Sequence, residues 1–183
     1  MHGEGALATH DPGGLEVFDL DLPSFRAALL CEIYSAKRSL TGPRIFSGIG
    51  NAYSDEILHR AQLSPVKWTE RLTEDEIARL HDAMGSVLRE WIARLREETG
   101  DDFPEKVTAS RPEMAVHGKY REPCPVCQSP VQRIVYASNE SIYCPTCQTD
   151  GKLLADRALS KLPKGNWPKS LEEMEERRAL AHD

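Results

Sequence analysis

Cys124-Pro-Val-Cys127 and Cys144-Pro-Thr-Cys147 decide how this chain of 183 residues is read. Sixteen residues, 128 to 143, separate the two pairs. Four thiols in paired CxxC loops suit one tetrahedral ion, because each short loop turns both sulfurs toward a single point. The intervening Val131-Gln-Arg-Ile-Val-Tyr136, the polar turn Ala137-Ser-Asn-Glu-Ser141 and Ile142-Tyr143 read as a β-hairpin. A hairpin this short has too little core to stand alone in water, so a bound metal supplies the missing stability. An iron site of the rubredoxin type is the rival. Zinc is favoured, since that fold takes a longer and more aromatic spacer. Two disulfides fit poorly, because the N-terminus does not look like a signal peptide and paired CxxC in an intracellular chain reads as a metal site. The fifth cysteine, Cys31, sits among apolar residues and reads as a buried thiol.

The net charge of −6 disfavours a polyanionic partner only until it is divided along the chain. Residues 35–71 carry six Lys/Arg against three acids, and residues 115–169 carry eight against four. The segments around them are acidic. Local charge decides where a polyanion docks, and both basic stretches hold a feature of interest. No apolar run is long enough to span a bilayer, so a soluble, cytoplasmic protein without a membrane partner is expected.

Working outward from the cysteines, the chain before them reads as helical. Residues 1–14 are small, polar and glycine-rich and read as a loop, with His2 and His10 as tail residues. Asp21-Leu-Pro-Ser24 opens a helix with Leu22, Phe25, Leu29 and Ile33 at helical spacing. A short second helix runs from near Ser35 to Leu40, and Thr41-Gly-Pro43 breaks it. Asn51 is expected to cap the helix 52–61, where Ile57, Leu58 and Ala61 form the buried side and Asp55 and Glu56 favour the helix dipole. Thr73-Glu-Asp-Glu76 is a capping box for a long amphipathic helix containing Ile77, Leu80, Met84, Val87, Leu88, Trp91, Ile92 and Leu95, with Gly100 as its stop. Met114-Ala-Val116 is expected to form a short strand leading to the cysteines. After Cys147, a helix beyond Gly151 and a last charged helix capped by Ser170 complete the reading.

A second motif lies in the first basic stretch. Gly48-Ile-Gly50-Asn51 feeds a helix N-terminus, whose free N–H groups and positive dipole end suit a phosphate. Lys37, Arg38 and Arg44 lie just upstream and complete a cradle.

Taken together, Gly48-Ile-Gly-Asn-Ala-Tyr-Ser-Asp-Glu56 and Glu122-Pro-Cys-Pro-Val-Cys127 … Tyr143-Cys-Pro-Thr-Cys-Gln148 resemble the formamidopyrimidine-DNA glycosylase/endonuclease VIII family. The likeness covers residues 15–150. It implies a mainly α fold, a helix–two-turn–helix bundle followed by a small zinc-bound β-hairpin. The implied boundaries are a linker or remnant of a missing N-terminal domain at 1–20, a DNA-binding domain at 21–114, a zinc finger at 115–150 and a charged helical tail at 151–183. The resemblance also implies double-stranded damaged DNA as partner, base flipping, and DNA glycosylase and AP lyase activity. Lys37, Arg44, Gly50, Asn51 and Asn139 are then the DNA-binding residues. Cys124, Cys127, Cys144 and Cys147 hold one structural Zn2+.

Two departures qualify that inheritance. The family's nucleophile is an N-terminal proline amine followed by a glutamate acid, whereas this chain begins Met1-His2-Gly3-Glu4. No catalytic residue is assigned, and the chain alone is expected to bind DNA without cleaving it, as a monomer, with a separately encoded N-terminal catalytic domain as a candidate partner. At the finger tip, where the family places an arginine, this sequence has Asn139. The alternative reading is a standalone zinc-ribbon module that holds another protein.

Overall fold

The computed structural model describes residues 12–100, 111–136, 139–154 and 167–180. Helix α1 spans Leu22–Leu29, α2 Ala36–Leu40, α3 Asn51–Arg60 and α4 Glu74–Thr99, with a 3-10 turn at Thr69–Arg71. An antiparallel pair follows, β1 Gln132–Tyr136 and β2 Asn139–Tyr143, then the short α5 Pro145–Thr149 and the terminal α6 Leu171–Leu180. The architecture is mainly α with one two-stranded sheet, as the sequence implies.

The helix boundaries follow local chemistry. Asp21 caps α1 by accepting from the Ser24 amide, and Pro23 sits where a missing N–H costs nothing. Ser35 caps α2 in the same way. Thr73 and Glu76 close the capping box on α4 reciprocally, and the chain leaves α4 at Gly100 with φ +59°. Ser170 caps α6.

The helices enclose one core. Phe25 and Phe46 stack at 5.2 Å, surrounded by Leu29, Leu40, Ile57, Leu58, Leu63, Ile77, Leu80 and Met84. Trp91 closes the far end as a buried core residue, edge-on to Tyr53 at 6.0 Å. A second, smaller cluster of Val116, Val131, Ile142, Cys124 and Cys144 fills the hairpin unit. It contains few apolar side chains, and two of its five buried members are the cysteines themselves.

Several expectations are corrected. Ile33 is 60% exposed because α1 ends at Leu29, so the helical period does not reach it. Leu22 and Ile92 are also exposed, and so is Cys31, beyond the end of α1. Asn51 is the first residue of α3 rather than its cap, since the extended backbone of Gly50 occupies the cap position. Met114–Val116 form no strand, because consecutive amides there turn toward one acceptor described below. Asn139 pairs with Tyr136 as the first residue of β2, so it stands in the ladder rather than in a turn. Residues 151–154 are not helical. The remainder of the helix expected after Gly151, and His2 and His10, lie outside the described residues.

Candidate metal centre and nucleic-acid cleft

The hairpin brings its four cysteines together. Cys124, Cys127, Cys144 and Cys147 place all four sulfurs within 4.8 Å of one another, the only such group of metal-type donors among the described residues. Sulfurs at the corners of a tetrahedron around zinc stand about 3.8 Å apart, given a Zn–S bond of roughly 2.3 Å. Here Cys124 and Cys147 are 4.0 Å apart and Cys127 and Cys144 3.3 Å. A closed four-thiolate site of structural type fits this donor set. Burial pushes the Cys144 thiol upward and brings Cys147 up to about 12, whereas for Cys127 burial is outweighed by hydrogen bonds from Ser129, which bring it down to about 6. A dication held by the four sulfurs would offset that penalty on Cys144 and Cys147 by favouring their thiolate forms.

The centre is joined to the helical core by polar bonds. His59, buried on α3, places Nε2 3.3 Å from the Cys124 sulfur. Gln148 on α5 spans the joint: its Oε1 accepts from the Cys144 amide at 2.8 Å, and its Nε2 donates to the Leu63 carbonyl at 2.8 Å.

The strongest ties come from Asp55 and Glu56, adjacent carboxylates on α3. Both are buried rather than set at the helix surface. Glu56 accepts from the backbone amides of Ala115 at 2.8 Å and of Val116 and His117 at 2.9 Å. Three amides converging on one carboxylate form an anchor, and hydrogen bonds to a charged group contribute about 1.5–3 kcal/mol each. Glu56→Gln replaces one acceptor oxygen by an NH2 group that faces at least one of the three amides and removes the charge from the others, and is expected to destabilise the protein by roughly 2 kcal/mol or more. Urea denaturation of wild type and variant checks this, and an unchanged midpoint would remove Glu56 from the anchor.

Asp55 serves the other side. Its Oδ1 accepts from Lys37 Nζ at 2.5 Å and from the Ile142 amide at 3.2 Å, and its Oδ2 lies 2.9 Å from His117 Nδ1. Lys37 also donates to the Glu140 carbonyl at 2.9 Å, so its ammonium pins β2 to α2 and α3. Burial lowers the Lys37 pKa below the ordinary lysine range, against the opposing pull of Asp55. The sequence had Lys37 as a free cation of a phosphate cradle. In the structure it is a buried, paired ammonium at the floor of a cleft.

That cleft, of about 1140 Å³, runs between the helical bundle and the hairpin. Lys37, Gly50, Asn51 and Asn139 all line it, as does Arg38. Four of the five residues expected to contact DNA are therefore brought together, although they span over a hundred positions in sequence. Arg44 is exposed but is not among the residues lining the cleft. Arg38 lies at 4.3 Å over the Tyr34 ring and forms no ion pair among the described residues. The two glycines of the motif have different tasks. Gly48 takes φ +80°, a left-handed turn that suits glycine, whereas Gly50 is extended. A Cβ at Gly50 would meet no protein atom within 4 Å, so glycine there keeps the cleft wall open. No side chain caps α3, and its first N–H groups remain available at this wall.

Sequence reasoning missed Asp55, Glu56, His59, His117 and Gln148 as site-building residues. Only the adjacent acids carried a signal: two carboxylates on a helix whose neighbours Ile57 and Leu58 are core.

Comparison with known proteins matches residues 18–101 to the formamidopyrimidine-DNA glycosylase H2TH domain. An uncharacterized formamidopyrimidine-DNA glycosylase-like protein of Mycobacterium tuberculosis is 39% identical over 153 residues, which cover 84% of this chain and 93% of that one. The formamidopyrimidine-DNA glycosylase of Thermus thermophilus is 37% identical over 134 residues, 70% of this chain and 50% of the enzyme. Among solved structures, the MutM (Fpg) protein of Thermus thermophilus aligns with a TM-score of 0.61 at 34% identity, covering 74% of this chain and 53% of that one. The Lactococcus lactis Fpg in complex with abasic-site DNA aligns with a TM-score of 0.64 at 27% identity, covering 79% and 54%. The chain thus spans nearly all of the mycobacterial relative and about half of each glycosylase.

Proposed function

The chain belongs to the formamidopyrimidine-DNA glycosylase family, corresponding to the C-terminal part of its enzymes, and from that premise we propose that it is a damaged-DNA-binding module whose finger is folded by one zinc ion. The observation that carries this reading is the cleft, which Gly50 and Asn51 at the head of α3 and Asn139 at the start of β2 line together. A phosphate placed there meets uncapped helix amides and an asparagine from each wall. Arg38 supplies the mobile cation, and Lys37 the fixed positive floor. Arg44, outside the cleft, is assigned to a neighbouring phosphate.

The division of labour follows the two cores. Residues 21–114 form the DNA-binding unit and 115–150 the finger. Cys124, Cys127, Cys144 and Cys147 hold the zinc, which supplies a structural cross-link and no step of a reaction. The relatives that align over about half their length are glycosylases, and several of their solved structures contain DNA with a lesion or abasic site. That supports duplex DNA as the partner here.

No residue of the cleft is placed as a nucleophile. The Lys37 amine is buried and held by two oxygens, Asp55 Oδ1 and the Glu140 carbonyl, so it is not presented to a sugar carbon for imine formation. The expected outcome is binding without strand cleavage. Borohydride trapping on an abasic duplex should give no adduct, and a trapped covalent complex would overturn that half of the reading. Binding itself is tested by salt. Each phosphate contact contributes a slope of about −0.9 in log K against log salt, so two to four contacts give roughly −2 to −4. A flat response would replace DNA with a protein partner, the function of a plain zinc ribbon.

A further inference from the structure

A further stretch of the cleft lining, supplied by neither α3 nor β2, has a different chemistry. It is built from two segments that zip together: the Ala36 amide donates to the Lys67 carbonyl at 2.8 Å, the Thr69 amide to the Tyr34 carbonyl at 2.9 Å, and Ser35 bridges Trp68. The Thr69 hydroxyl adds a bond to the Glu32 carbonyl at 3.1 Å. The backbone that carries Trp68 is therefore held on both sides of the residue. Yet the indole is 47% exposed, and Ile33 beside it in the same wall is 60% exposed. Single exposed apolar residues need no explanation, but two large ones on a hydrogen-bonded backbone, in a cleft that also holds Arg38, Asn51 and Asn139, form a patch that does.

We infer that Trp68 is a stacking platform for the base of one unpaired nucleotide, with Ile33 as its apolar flank. This rests on the DNA-binding reading above and names the kind of DNA that the cleft prefers. A nucleotide has one charged and one flat apolar end, and the cleft offers a match for each: Arg38 and the Asn51 wall for the phosphate, and the Trp68 wall for the base. Every base has a π face, so the contact tolerates any sequence. In an intact duplex both faces of each internal base are covered by their neighbours. Only a base released from the stack, at a bulge, gap or single-stranded junction, presents a face to the indole.

The test uses the full chain and three labelled oligonucleotides: an intact duplex, the same duplex with a one-nucleotide thymine bulge, and one whose bulged nucleotide is abasic. Wild type should bind the thymine bulge roughly tenfold more tightly than the intact duplex, in the range of a single base–aromatic stack. The abasic bulge should lose most of that gain. Trp68→Ala should lose the preference while binding the intact duplex within about twofold, and Trp68→Phe should recover part of it. Indole emission should fall on binding the thymine bulge and not on binding the abasic one. Equal affinity for all three duplexes, or a Trp68→Ala defect of the same size on each, overturns the stacking role and leaves DNA binding standing. Failure of wild type to bind any of the three overturns the DNA-binding reading itself.

Discussion

Asp55→Ala is expected to cost about 3–5 kcal/mol of stability, the scale seen when one partner is removed from a buried ion pair. The side chain is fully buried and serves three donors at once: the Lys37 ammonium, the His117 ring and the Ile142 amide. Alanine removes this acceptor from all three and leaves Lys37 only the neutral Glu140 carbonyl, and the buried Lys37 suffers most because its charge is already disfavoured there. For a chain of this size each kcal/mol moves Tm by roughly 2–4 °C, so a fall on the order of 10 °C is expected. Lys37→Met added to Asp55→Ala should recover part of the loss, since it removes the stranded ammonium. A Tm within about 3 °C of wild type for Asp55→Ala, or no recovery in the double variant, would show that packing rather than this charge network docks the hairpin on α3. The same network joins the two sides of the cleft: Lys37 ties β2 to the helices beside Asn139, which lines the cleft together with Asn51.

Removing the metal is expected to have the larger effect on the finger. Structural zinc sites contribute apparent free energies of about 10–16 kcal/mol in isolated fingers, far more than the small cluster around Val131 and Ile142 can replace. After chelation, or in Cys144→Ser, the β1–β2 ladder should be lost and the remaining thiols of the site should become reactive toward a thiol reagent. Most of the helical circular dichroism should survive, because the core around Phe25, Phe46 and Leu80 contains no residue of the hairpin. The remaining helical unit should melt at a lower temperature, since Asp55, Glu56 and His59 lose their partners across the joint. If helical and hairpin signals disappear in one transition, the two cores are a single cooperative unit and the division at residue 114 falls. The metal should leave the protein colourless, whereas a ferric tetrathiolate absorbs visible light.

How much of this was legible beforehand depended on how local the cause was. The caps at Asp21, Ser35, Thr73 and Ser170 are settled within three residues, and each stands where the sequence put it. The end of α4 at Gly100 follows from the glycine, and the burial of Trp91 from a period that runs from Ile77 to Trp91. The sequence erred where a distant group overrode the local pattern. Met114–Val116 looks like a strand from its composition, but a carboxylate 59 to 61 positions away draws its amides to one point. Lys37 looks like a surface cation in a basic stretch, but it is buried and donates to Asp55 and the Glu140 carbonyl.

The sequence by itself determined that this is a helical bundle followed by a four-cysteine hairpin of the formamidopyrimidine-DNA glycosylase family, because cysteine spacing, caps and helical period are short-range codes. Only the tertiary structure decided what stands between those two parts. Adjacent acids on α3 proved to be the bolts of the assembly rather than ornaments of a helix dipole, and an unremarked tryptophan proved to line the cleft. Burial and juxtaposition are properties of elements brought together from far apart, and no local pattern encodes them. The CxxC pairs at 124–127 and 144–147 fix where the four sulfurs gather. Their docking through His59, Gln148, Asp55 and Glu56 decides which face of the hairpin meets the helices.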